Sequence, residues 1–175
     1  MPSKLSIVLS FCFLWPAVLA AATPKYYLSL KGMKQGQLYH NNVTSLTNVV
    51  QILGFNFSAS EPRDIASGLP TGKSTFTPVS LYKEMDMSSP LLMQALTTNE
   101  IFQATITAVD PATNGNLATT FAWKLTNGGL TSVSYGAGST QMVESIAMVF
   151  QKLEIDATAG GSTVSTLFNW QTPIA

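Results

Sequence analysis

LATTFAWKLTNGGLTSVSYGAGSTQMVESIAMVFQKLEID, residues 117–156, carries the pattern that decides the fold. Leu117, Thr119, Phe121, Trp123 and Leu125 alternate with Ala118, Thr120, Ala122, Lys124 and Thr126, the two-residue period of a strand with one buried face. NGG at 127–129 marks a bend, LTSVSYGAG reads as a further strand, and QMVESIAMVFQKLEID as a strand of unusual length. That last stretch is apolar on both faces. Met142, Ile146, Met148 and Phe150 fall on one side, and Val143, Ala147, Val149, Leu153 and Ile155 on the other. The pattern predicts burial within the domain and against something outside it, the helix or another subunit.

Working outward, the same period recurs between clusters of Gly, Pro, Asn and Asp, so the chain reads as mainly antiparallel β. KYYLSLKG (25–32) is a first strand, followed by a polar loop. LGFNFSAS puts Leu53, Phe55, Phe57 and Ala59 on one face. EPRDIASGLPTG is a long connection before a strand at about 74–81. One helix interrupts at SSPLLMQAL, with Ser89 as N-cap, Pro90 in the first turn, and Leu92, Ala95 and Leu96 sharing a face. Its two turns need packing against a sheet to persist. IFQATITAVD pairs with LATTFAWKLT across PATNGN, AGG (159–161) ends the long strand, and TVSTLFNW is the last strand. No internal repeat or interdomain linker is visible.

The N-terminus has another character. Lys4 precedes an apolar run over residues 5–20 and then AATP, the layout of a secretory signal peptide. The expected organisation is a leader over 1–22 and one domain over 23–175. Cleavage after Ala20 or Ala22 removes Cys12, the chain's only cysteine, so the mature protein forms no disulfide. Nine basic residues balance nine acidic ones, and charged residues are 10% of the chain, where about 25% is usual. That composition excludes a nucleic-acid surface and a polybasic membrane contact. No membrane partner is expected once the leader is gone.

Candidate chemistry is sparse. Ser67 to Thr75 has Gly72, Lys73 and Ser74 in the order of a phosphate loop. However, Ser67 replaces the first glycine, and the alternating TFTPVSLY follows where a helix is required. His40, the only histidine, sits beside Asn41 and Asn42 without a second ligand at metal spacing. Glu84 and Asp86 lie two apart beside Lys83 and read as a solvated or ion-paired segment before the helix rather than a glycosidase pair. Trp123, Trp170, Tyr26, Tyr27 and Tyr135 are the candidates for a sugar-stacking platform, against core or interface packing. Asn42-Val43-Thr44 and Asn56-Phe57-Ser58 fit the glycosylation acceptor pattern. No catalytic set, metal site or cofactor is expected.

Several stretches, in order, resemble the haemolysin-coregulated protein (Hcp) family, the tube protein of bacterial type VI secretion. In VSLYKEMDMSSPLLMQAL, Lys83, Asp86, Ser89 and Pro90 match a strand running into K-x-x-D-x-x-S/T-P and a single short helix. In LTSVSYGAGSTQMVESIAMVFQKLEID, Ser132, Val133, Ser134 and Glu144 match the family's V-S-S-V-S, turn and penultimate strand. YYLSLKGMKQGQ, NVVQILGFNFSAS and the position of Trp170 are similar to its opening strands and C-terminal tryptophan.

The resemblance implies a small antiparallel β-barrel of two packed sheets with one short α-helix. It also implies a non-enzymatic subunit forming hexameric rings that stack into a hollow tube. Expected partners are other copies of the chain, secretion-system components, and effector cargo in the lumen. By position, the loop at 33–42 corresponds to the ring-stacking loop, pointing to Lys34, Gln35 and Gln37; the two-faced strand points to Met148 and Val149 as subunit-interface residues. The leader departs from the family pattern, whose members stay in the cytoplasm until loaded, and implies an exported, extracytoplasmic version, the alternative being a leader retained as an anchor. The competing expectation is a secreted monomeric binding module for a glycan or protein partner.

Overall fold

The computed structural model describes residues 23–39, 41, 46–111, 117–137 and 141–169. The expected leader, His40, Asn42, the 112–116 turn and Trp170 lie outside the described residues. The elements run β1 (Lys25–Gly32), β2 (Gly36–Gln37), β3 (Val50–Ile52), β4 (Gly54–Asn56), β5 (Ala59–Ser60), β6 (Thr75–Phe76), β7 (Val79–Glu84), α1 (Ser89–Thr97), β8 (Ile101–Pro111), β9 (Leu117–Ala137), β10 (Met142–Val149), β11 (Lys152–Ala159) and β12 (Ser162–Asn169). Every strand pairing is antiparallel, as alternation with one apolar face predicts.

The longest strand is β9, not the 141–156 stretch. β9 runs straight through NGG, where Asn127 takes φ 52° and the β8–β9 register slips between Phe102 and Ala104. A Cβ on Gly128 would come within 2.5 Å of the buried Phe102 ring, so only glycine fits there. The arm opposite β9 breaks at the same height, at Phe150–Gln151, into β10 and β11. Asn127 Nδ2 donates to Gln151 Oε1 at 2.8 Å across this corner. The bent arm therefore reaches two sets of neighbours within one continuous sheet: β10 pairs with β7, and β11 with β12. Bends and bulges are how such corners form.

Residues 50–56 close the barrel. Ile52 pairs with Tyr26 of β1 and Gly54 with Tyr82 of β7, and the Leu53 N–H donates to the Tyr82 carbonyl at 2.7 Å. Leu53, expected on the inward face with Phe55, is 51% exposed because the chain switches partners at that residue. Cross-strand rows fill the interior, one of them Leu30–Ala104–Leu125–Leu153–Phe168. Full burial of each large apolar side chain there is worth about 1.5–3 kcal/mol. Leu92 and Ala95 of α1 are buried, Leu92 within this core, while Leu96 is half-buried. Between β4 and β7, residues 58–75 form an exposed hairpin containing the β5–β6 pair, so the stretch with Lys73 leads into a strand and not into the helix a phosphate loop needs.

Candidate assembly surfaces

Val79, Leu81 and Lys83 share the inward face of β7, which carries a lysine into the core. Lys83 pairs across the sheet with Glu144 of β10, and both side chains are fully buried. The ammonium lies 2.5 Å from Glu144 Oε1 and 3.1 Å from Asp86 Oδ1, and it donates to the Glu84 carbonyl at 2.7 Å. Asp86 in turn organises the start of α1. Its Oδ1 accepts the Ser88 N–H at 2.8 Å and the Ser88 hydroxyl, while its own N–H donates to Ser89 Oγ at 3.1 Å. The N-cap is thus Ser88, one residue earlier than expected, and it makes no side-chain cap bond because its hydroxyl serves Asp86. Partial burial raises the Asp86 pKa, but the Ser88 bonds and the Lys83 charge outweigh it and hold the carboxyl below its usual value. Glu84 takes part only through its carbonyl, and the residue is exposed.

The loop after β1 holds Lys34, Gln35 and Gln37. Its conformation is set by a residue that sequence reasoning missed, Glu100, which is 2% exposed. Glu100 Oε1 accepts the Lys34 and Gln35 N–H groups, each at 2.7 Å. Burial raises its pKa; the bonds from Gln35 and Lys34 more than offset this, so the carboxyl stays below its ordinary range. Gln35 Nε2 reaches the Leu91 carbonyl of α1 at 3.4 Å. Gln37 Nε2 donates to Ser29 Oγ and to the Asn48 carbonyl, both at 3.1 Å. Of the three residues Lys34 is exposed, while Gln35 and Gln37 are half-buried. Met33, 74% exposed, joins Lys34 on the outside of the turn.

On β10 the faces separate cleanly. Glu144, Ile146 and Met148 point inward, whereas Val143, Ser145 and Ala147 are half-buried and Val149 is 44% exposed. Met148, expected at a subunit interface, is 0% exposed; its surface is consumed inside one chain, so it is a core residue. Val149 alone of that pair can meet a neighbour. The aromatic candidates among the described residues do not form a platform. Trp123 packs edge-on against Phe55 at 4.8 Å and stacks on Phe121 at 5.7 Å, Tyr27 is buried in a separate small cluster, and the Tyr135 hydroxyl donates to the Ser89 carbonyl at 3.0 Å. Phe55, Phe57, Trp123 and Leu153 close around a gap without room for a water molecule. Among the described residues no cluster of His, Cys, Asp and Glu could hold a metal ion.

Among the described residues, the two- and three-residue strands β2 to β6 each pair on one side only, and two long stretches of strand do so as well. β10 and β11 flank β9 on one side, and β8 flanks the other only as far as Gly129, leaving 131–137 open on the β8 side. At the far end β12 pairs with β11 alone. Gly160 and Gly161, at φ 59° and 82°, make the two-residue β11–β12 turn. The pair beside it, Ala159 and Ser162, is therefore the hydrogen-bonded one. Alternation from there turns the N–H groups of Thr163, Ser165 and Leu167 away from β11, toward the open edge.

A family model described as "Type VI secretion system effector, Hcp" matches residues 27–156. The chain belongs to the Hcp family. The "Major exported protein" of Pseudomonas aeruginosa is 40% identical over 89 residues, 45% of this chain and 51% of that protein, so the match spans about half the length of this curated relative. A solved Hcp protein superposes with TM-score 0.73 at 21% identity, covering 85% of this chain and all of the other. Hcp1 from E. coli EAEC 042, as a double tryptophan mutant, gives 0.72 at 23% identity, covering 83% and 98%. The Hcp barrel with its single helix, expected from the resemblance, is the fold observed. Three of the Hcp motif residues read from the sequence, Lys83, Asp86 and Glu144, meet in one ion network, fully buried at Lys83 and Glu144 and open to solvent at Asp86.

Proposed function

We propose that this protein is an exported, non-enzymatic subunit that assembles into rings, six copies to a ring as the Hcp resemblance implies, which stack into a hollow tube. The observation that supports this best is the pair of long open strand edges, β12 and residues 131–137, each several residues in length. They are different edges of one chain, so joining them is a heterologous contact of the kind that closes into a ring. Each would supply the backbone partners the other lacks. Val149 is the side chain offered as an interface contact, and Lys34, Gln35 and Gln37 are the loop residues offered to the next ring. Secretion-system components, and effectors in the lumen, are the remaining partners in this reading. A leader over 1–22 provides the route out of the cytoplasm.

The test is the absolute mass of the chain from Thr23 to Ala175 in solution, by light scattering on a sizing column, with negative-stain images of the peak. A ring mass with a central hole is expected. A monomer at every concentration overturns the assembly reading and favours a single-copy binding module.

A further inference from the structure

We infer that Glu100 is the positioning residue of the stacking surface: its buried carboxylate fixes the backbone of the loop after β1, so that Met33 and Lys34 are presented to the next ring in one conformation. The inference rests on the assembly reading above and names what prepares that surface for contact. One oxygen of Glu100 holds two successive N–H groups, those of Lys34 and Gln35, and the Met33 N–H donates to the adjacent Ile101 carbonyl at 2.9 Å. Three consecutive amides of the turn are thereby bound to residues 100 and 101.

The surroundings are built for this contact. A Cβ on Gly32 would run into Glu100 Oε1, so glycine is what allows the carboxylate to approach. Gly36 closes the turn at φ 75°. Asn99, at φ 49°, turns the chain out of α1, and the Glu100 N–H returns to the Ala95 carbonyl at 2.9 Å. Glu100 is therefore aimed by the end of α1, whose start is tied to the Lys83 network through Asp86. A short exposed turn would otherwise lose its freedom on docking, and a turn already fixed avoids that cost.

The experiment compares wild type, Glu100→Ala, Glu100→Gln and Gly32→Ala in the full mature chain, reading ring mass, tube length in negative stain, and amide exchange at residues 33–37. Glu100→Ala should keep the ring mass, exchange the Lys34 and Gln35 amides at least tenfold faster, and need about ten- to hundredfold more protein to form tubes. Glu100→Gln, whose carbonyl oxygen still accepts both N–H groups, should restore tubes. Gly32→Ala should mimic Glu100→Ala without removing the carboxylate, which keeps the inference testable if Glu100→Ala fails to fold. Unchanged exchange in both variants overturns the latch. Faster exchange with wild-type tubes overturns its role in stacking. Wild type without rings overturns the assembly reading instead, and the exchange data still decide whether Glu100 holds the loop.

Discussion

Replacing Glu144 by alanine probes the polar knot on which α1 depends. In the folded chain Glu144 and Lys83 are both fully buried, 2.5 Å apart. Without Glu144 the ammonium keeps Asp86 at 3.1 Å and the Glu84 carbonyl at 2.7 Å, but its closest counter-charge is gone from a place water does not reach. Removing one partner of such a pair costs about 3–5 kcal/mol, a large part of the roughly 5–15 kcal/mol that holds a domain folded. At about 2–4 °C per kcal/mol for a domain of this size, Tm should fall by about 6–20 °C. Glu144→Gln, which keeps the shape and one acceptor, should cost about 1–3 kcal/mol. The double variant Lys83→Met/Glu144→Leu removes both charges and should melt at or above the wild-type temperature. Thermal and urea unfolding followed by circular dichroism read all three. A Glu144→Ala protein melting within about 2 °C of wild type refutes the reasoning, because the pair would then contribute less than about 1 kcal/mol.

Leu167→Pro removes an N–H facing the open edge of β12 while leaving the β11 pairing in place; an unmet acceptor on the neighbour costs about 1–3 kcal/mol, so half-assembly should need about ten- to hundredfold more protein by light scattering, with Tm of the monomer little changed. Wild-type assembly in that variant would exclude β12 from the interface. Met148→Asp should fail to fold, since it places a charge in the core, whereas Val149→Asp should fold normally and weaken only the ring; circular dichroism and sizing columns separate the two, and an assembled Met148→Asp protein would contradict its burial. Asp86, Glu100 and Asp156, the last bonded by the Lys124 ammonium at 2.7 Å, all hold their protons less tightly when folded than the free side chains do. The unfolded chain thus binds more protons around pH 4, so stability should be full above about pH 5 and fall as pH drops through about 4. Melts between pH 3 and 7 with constant Tm would exclude that contribution.

The Hcp motif was legible at the level of residue types: Lys83, Asp86, Ser89, Pro90 and Glu144 could be matched from the sequence alone. What they do was not, because Lys83 and Glu144 are brought together by the β7–β10 register and not by any local spacing. Glu100 left no sequence signal at all. A single acid after a helix is ordinarily a solvated residue, and only the return of β1 beside β8 places the Lys34 and Gln35 amides against it. Met148 was misplaced for a related reason, since alternation says which residues share a face but not which face the core occupies.

By itself the sequence determined the fold class, the first strand to the residue, the position of the one helix, and the absence of a second cysteine or histidine around which to build a site. These are local properties: a two-residue apolar period, a Ser-Pro start and a Gly-Gly turn act over a few residues, whatever the rest of the chain does. Tertiary structure decided that β9 passes through NGG unbroken, that β10 and β11 part at Phe150, that residues 50–56 close the barrel, and that two long strand edges, β12 and 131–137, remain open. Each depends on which strands become neighbours, and that choice is made by the joint packing of residues tens of positions apart.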